Sequence, residues 1–279
     1  MRRIRAGEIT KTVAMLAIKA NISLRIDVLN ALKRAARSEK KKTARRILNI
    51  LIENAKIAKS KKIAICQDTG MAVVFCGIGQ QVYIEGDITR AINEGIRLGY
   101  KKGFLRKSVV SDPILRKNTN TNTPCVIHYN IIKGNRVRLT VLPKGFGSEN
   151  AGRLVMLKPT DTENEIVDFV IKTVKETGAD ACPPLILGIG IGATSDKAAS
   201  LSKEATLRPI DRPNPKRHLE RLERLILSKV NKTNIGPAGL GGSTTCLGVN
   251  ILTFPTHIAG LPVCLNISCH AMRSASKVI

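Results

Sequence analysis

The sequence predicts an α+β fold, a helical N-terminal region followed by mixed sheets with flanking helices. Two observations predict it. Through the first 60 residues, apolar side chains recur at the helical period of 3.6. From Lys62 onward the texture changes to short apolar runs of strand length, closed by glycine or polar turns and interleaved with amphipathic stretches. No internal repeat or low-complexity linker divides the chain, so residues 1–279 are expected to form one domain.

In order along the chain, Asp27 can cap a helix carrying Val28, Leu29, Leu32 and Ala36, and Thr43 a second carrying Ile47, Leu48, Leu51, Ile52 and Ala55. Lys62–Cys66 (KIAIC) reads as a strand ending in the polar turn Gln67–Gly70. Val82–Glu85 reads as a strand and Thr89–Lys101 as an amphipathic helix. Cys125–Ile132 and Val137–Leu142 flank Lys133-Gly134-Asn135, a turn suited to a hairpin. Asp161–Thr177 is a helix with Ile166, Phe169, Val170 and Val174 facing in. Leu185–Gly192 is a buried strand running into glycines, with Asp196–Leu207 as the helix behind it. His218–Val230 is a charged helix, and Cys246–Phe254 and Leu261–Ile267 read as strands.

Composition narrows the class. Hydrophobic residues are 43% of the chain, which excludes a disordered segment; with 3% aromatics and no Trp, the core must be aliphatic. The net charge of +25 invites a nucleic-acid reading. Against it, the basic residues are scattered apart from Ser38–Arg46 and Lys59–Lys62, aromatic stacking platforms are lacking, and no nucleic-acid-binding motif is present. A solvated, Lys-rich surface accounts for the charge, and its field would attract a dianionic substrate or an acidic partner. Met1–Arg5 is basic but no apolar signal region follows, and the most apolar segment, Pro183–Ala193, is too short for a membrane span. A reducing cytoplasm is therefore expected, where the 7 cysteines stay thiols available to metal.

Four places interrupt the apolar pattern. Cys66-Gln67-Asp68-Thr69-Gly70 puts a thiol beside a carboxylate and a glycine turn, although a buried Cys is more often only a small hydrophobe. Pro143–Asn150 (PKGFGSEN), leading into a helix, could bind an anion on its backbone amides or be an ordinary glycine loop. Ala181-Cys182-Pro183-Pro184 precedes Gly188, Gly190 and Gly192; this GxGxG spacing is neither the dinucleotide fingerprint nor a P-loop. The last runs from His257 to Cys269-His270, downstream of the glycine-rich Asn234–Ser243. No cysteines are spaced CxxC, so neither a zinc ribbon nor a ferredoxin-type cluster is supported. Distant single cysteines fit a three-thiolate cluster and an ordinary cytosolic protein equally.

Taken together, these segments resemble the α subunit of class I fumarate hydratase and of L-tartrate dehydratase. The matching runs are CQDTG (66–70), KGFGSENAGR (144–153), ACPPLILGIGIGATSDKAASLSKEA (181–205), GPAGLGGST (236–244) and THIAGLPVCLNISCH (256–270). The resemblance implies a [4Fe–4S] cluster on Cys66, Cys182 and Cys269, with one iron free of cysteine and open to a small dicarboxylate. It implies Asp68 as the active-site carboxylate, Arg106 as the substrate-carboxylate arginine and His257 as a substrate contact. Gln67, Gly145, Gly147 and Ser148 would line the same pocket; Phe146 stands where the family often has a third glycine. Cys76, Cys125, Cys246 and Cys264 fall outside the motif positions and are read as packing residues. Single-chain members continue into a second domain where this chain reaches Ile279, so a separate β subunit is expected to complete the site. Fumarate/L-malate interconversion is the favoured reaction, with tartrate to oxaloacetate as the alternative. Readings of other classes are a basic nucleic-acid-binding protein and a non-catalytic assembly subunit.

Overall fold

A computed structural model describes all residues, 1–279. The chain opens with β1 (Arg2–Arg5), α1 (Ala6–Ile22), α2 (Ile26–Ser38) and α3 (Lys42–Lys61). Next come β2 (Met71–Gly79), β3 (Val82–Glu85), α4 (Ile88–Lys102), β4 (Val126–Ile132) and β5 (Val137–Lys144). The single turn α5 (Phe146–Glu149) precedes β6 (Arg153–Leu157), α6 (Glu163–Thr177), β7 (Leu185–Gly192) and α7 (Ser195–Ala205). Then follow α8 (Arg217–Asn231), β8 (Cys246–Phe254), β9 (Leu261–Ser268) and β10 (Ala275–Val278). Helices and mixed sheets are both present, as expected. They gather into two compact units.

The first unit comprises Met1–Arg25, Asn54–Phe146 and Arg273–Ile279. Its four-stranded sheet has the order β10-β5-β2-β4, and β1 and β3 form a separate parallel pair. The side chain of Asp87 starts α4 by accepting from Arg90 N at 2.9 Å. Ile92, Ile96 and Tyr100, one helical face of α4, then bury against Val13, Leu16 and Ala17 of α1. Ala72, Val74 and Cys76 on one face of β2 and Leu139 and Val141 of β5 complete that core.

Two expectations fail in this unit. β4 and β5 are strands, but they do not pair as a hairpin: β2 lies between them, parallel to β4 and antiparallel to β5. The buried run Ala72–Cys76 takes the central place, and the Lys133–Asn135 turn bonds to its end, with Gly134 O accepting from Gln81 N at 3.0 Å. Nor is Lys62–Cys66 a strand. Its backbone is taken by neighbouring groups, Ile65 N donating to Asn21 O at 2.9 Å and Ile65 O accepting from Asn54 Nδ2 at 2.8 Å.

The second unit comprises Ile26–Glu53 and Gly147–Met272. Its sheet order is β6-β9-β7-β8, with β7 parallel to β8 and antiparallel to β9. Leu185, Leu187, Ile189 and Ile191 of β7 face one core, with Ile166, Val170 and Val174 of α6 and Leu222 and Ile226 of α8. On the other face α7 lies directly on the strand. A Cβ at Gly188 would stand 2.2 Å from Ser202 O, and one at Gly190 2.1 Å from Ala198 O. The GxGxG spacing is thus a helix–strand packing device. The capping box at Thr162 and Glu165 starts α6.

Three helix starts differ from expectation. Asp27 does not cap α2: it lies within the first turn, and its Oδ2 accepts from Ile210 N at 3.0 Å, a tertiary bond. Thr43 likewise lies inside α3, which begins at Lys42. No helix follows PKGFGSEN: the one helical turn, α5, lies within that run, and the next element is β6.

Candidate functional site

In the first unit the site is built on the Cys66–Gly70 loop, whose last three carbonyls are all anchored. Tyr100, fully buried, donates its hydroxyl to Thr69 O at 2.7 Å, with Gly70 O at 3.0 Å. Burial above all raises the pKa of that phenol, so it stays a donor. Asn122 Nδ2 donates to Gly70 O at 3.1 Å, while its Oδ1 accepts from Ser108 N at 2.8 Å. Thr69 Oγ1 donates to Arg106 O at 2.7 Å, tying the loop to the segment that carries Arg106. Buried Arg273 donates through Nη2 to Asp68 O in a short contact, and its Nε and Nη1 find no partner.

These anchors fix the Asp68 carboxylate. One oxygen accepts from Gly70 N at 2.9 Å and the other from Phe146 N at 2.8 Å. A Cβ on Gly145 would stand 3.0 Å from Asp68 Oδ2 and crowd the carboxylate. Asp68 and Cys66 are half-buried, and Gln67 and the Arg106 side chain are exposed. Cys66, Gln67, Asp68, Gly145 and the Arg106 segment therefore share one neighbourhood.

In the second unit the pairing of Ile186 with Ser268 brings the start of β7 beside the end of β9. Cys182 precedes the one and Cys269 follows the other. The segments are joined directly: His270 donates to Cys182 O from its backbone N at 3.3 Å and from Nδ1 at 3.0 Å. Cys182 is exposed and adopts φ 56°, a left-handed conformation costly for a residue with a Cβ. Ala238 N donates to Pro183 O at 2.8 Å, so the glycine-rich turn packs at the same sheet end. Buried Glu39 fastens that turn, accepting from Ser243 N and Oγ, both at 2.9 Å. Burial pushes the Glu39 carboxyl up, but hydrogen bonds from Lys41 and Ser243 outweigh it and leave the pKa below the ordinary value.

Ser148 is buried, and its neighbour Glu149 accepts from Asn266 Nδ2 at 3.2 Å and from Lys203 Nζ in a short contact. Gly147 is not forced by space, the nearest atom to an added Cβ being Asp180 O at 3.9 Å. His257 lies elsewhere. It occupies an exposed turn after β8, accepting through Nδ1 from Ala259 N at 3.1 Å, while Thr256 Oγ1 donates to Ala193 O at 3.1 Å. β7 and β8 run parallel, so this turn sits at the opposite sheet end from Cys182 and Cys269. The separation is on the order of 23 Å, the length of an eight-residue strand.

The seven cysteines divide cleanly. Cys182 is exposed and Cys66 and Cys269 are half-buried, whereas Cys76, Cys125, Cys246 and Cys264 are buried. Burial pushes the Cys76 thiol up to about 11, and Cys125 and Cys246 up to about 12. Cys264 shifts the same way, also through burial. These four are packing groups. No three His, Cys, Asp or Glu side chains close on one point fit for a single ion.

Tyr100, Asn122, Arg273 and Glu39 escape a reading by motif. Tyr100 alone carries a local signal, a polar-tipped residue on the apolar stripe of α4. No helix is long and apolar enough to cross a membrane.

A family model described as "Fumarate hydratase (Fumerase)" matches residues 10–278. The chain is 38% identical, over 98% of both chains, to the "Putative L(+)-tartrate dehydratase subunit alpha" of Methanocaldococcus jannaschii. It is also 27% identical to the L(+)-tartrate dehydratase subunit alpha of Escherichia coli K12, covering 98% of this chain and 91% of that one.

Proposed function

Since the chain belongs to the fumarate hydratase (fumerase) family, whose members are hydro-lyases, we propose that it is the α subunit of an iron–sulfur hydro-lyase acting on a small dicarboxylate. The observation that carries this is the division of the thiols. The three accessible cysteines are those at the family's motif positions, and the four others are buried. A cube spreads its protein thiolates over separate irons, so the lack of a point-like ion site does not bear against it. The donor set fits: three soft thiols, with the buried Arg273 guanidinium bonded to the Cys66 loop and having N–H groups to spare. Cys66, Cys182 and Cys269 would hold a [4Fe–4S] cluster. When bound, it would supply a Lewis-acidic iron that helps a hydroxyl leave or arrive.

The chain's own groups do the rest. Asp68, its carboxylate oriented by two backbone N–H donors, moves the proton beside the carboxylate-bearing carbon. Arg106 offers a guanidinium fork to a substrate carboxylate, and Thr69 sets the position of its backbone. Gln67 and the Gly145–Ser148 loop complete the wall. His257, the substrate contact that the resemblance implies, lies at the far end of the sheet from Cys182 and Cys269.

Fumarate and L-malate are the proposed pair. Tartrate to oxaloacetate is the second reading, favoured by the names of the two relatives. Their designation as subunit alpha supports a β partner that completes the site. The test is to purify the chain anaerobically with that partner and assay fumarate and L-tartrate in parallel. A brown protein that bleaches in air and turns over one of them is expected. A colourless protein, inert with both, would reject the reading.

A further inference from the structure

Arg273 presents buried N–H donors without acceptors. It is 3% exposed, its Nη2 bonds Asp68 O, and its Nε and Nη1 are buried without partners. Leaving guanidinium N–H groups buried and without acceptors is costly. No carboxylate accepts from its Nε or Nη1, the two oxygens of Asp68 being bonded instead by Gly70 N and Phe146 N. Nor does anchoring the loop demand a cation, since neutral Tyr100 and Asn122 hold the next two carbonyls. Such a group is arranged for an anion. A dicarboxylate from solvent is served by exposed Arg106, whereas Arg273 is sealed beneath the loop.

We propose that Arg273 is a positioning residue for the anionic cluster: it fixes the backbone beside Cys66 and gives its remaining N–H groups and its charge to cluster sulfur. This rests on the hydro-lyase reading. Donors and charge around the sulfurs stabilise the bound cluster and raise its reduction potential. Without the cluster the same charge is a burden. Arg273 therefore trades stability of the empty chain for retention of the cofactor.

The test compares the full-length wild-type chain with Arg273→Met and Arg273→Lys, each reconstituted anaerobically with iron and sulfide. Arg273→Met should shorten the cluster's half-life against a chelator by about 10- to 100-fold and lower its potential, with partial recovery in Arg273→Lys. The empty Arg273→Met chain should melt no lower than empty wild type, which a merely structural arginine would not allow. A folded Arg273→Met chain with wild-type half-life and potential overturns the inference. So does one that keeps its cluster but no longer binds succinate, since the anion would then be the substrate. Should Arg273→Met not fold, that outcome contradicts the burden argument and also overturns it. A wild-type chain that takes up no cluster rejects the hydro-lyase reading itself, which separates the two failures.

Discussion

At the residue scale, chemistry follows access. Cys66, Cys182 and Cys269 can reach a reagent, while burial keeps the other four thiols protonated, Cys246 with its pKa at about 12. Because the thiolate is the nucleophile, iodoacetamide should label those three positions in the native, cluster-free protein, Cys182 first, and the other four only after denaturation. Mass spectrometry reads this directly; native labelling of Cys246 as fast as Cys182 would remove the argument. Asp68→Asn keeps the shape of the side chain but not a carboxylate fit for proton transfer. It should lower kcat by about 100- to 10,000-fold while leaving the cluster's absorbance in place. Equal loss of both would assign Asp68 to cluster binding.

At the element scale, the second unit's sheet rests on tight packing and one buried ion pair. Glu223 accepts from Arg208 Nη2 at 2.7 Å, Asn214 Nδ2 at 2.8 Å and Ile251 N at 2.7 Å, tying α8 to β8. Glu223→Ala removes the shared acceptor of Arg208, Asn214 and Ile251 and should destabilise the chain by about 3–5 kcal/mol, seen as a lower urea midpoint. Gly190→Ala pushes a methyl to within 2.1 Å of Ala198 O, so α7 must lift from β7, costing about 1–3 kcal/mol. An unchanged midpoint in either variant would show that the contact contributes little. Elements whose pattern is self-contained were readable from the chain: β7 and β8 match their expected limits residue for residue. KIAIC was not, because nearby Asn21 and Asn54 take its backbone bonds before a sheet partner can.

At the scale of the whole molecule, the charge of +25 sits with a family of small-anion enzymes, and the motifs, not the charge, distinguish that reading from nucleic-acid binding. The α-subunit reading carries its own expectation. The purified chain, with its cluster rebuilt, should turn over neither fumarate nor L-tartrate until a β subunit is added. Turnover by the chain alone in a stopped assay would show that it needs no partner. His257 belongs to this scale too, being separated from Cys182 and Cys269 by the length of a strand in the same sheet.

Read by itself, the chain determined where its helices and most strands lie, and the words CQDTG, ACPP and ISCH named the three cysteines that prove accessible. Both follow from local information, a periodicity of burial or a fixed order of residues. Only the tertiary structure decided that β2 separates β4 from β5, that GxGxG seats α7, and that Arg273 is buried against Asp68 with two nitrogens unpartnered. The reason is common to all three. Strand neighbours, close approach and the pairing of a buried charge depend on residues far apart in sequence, and no local pattern records which of them will meet.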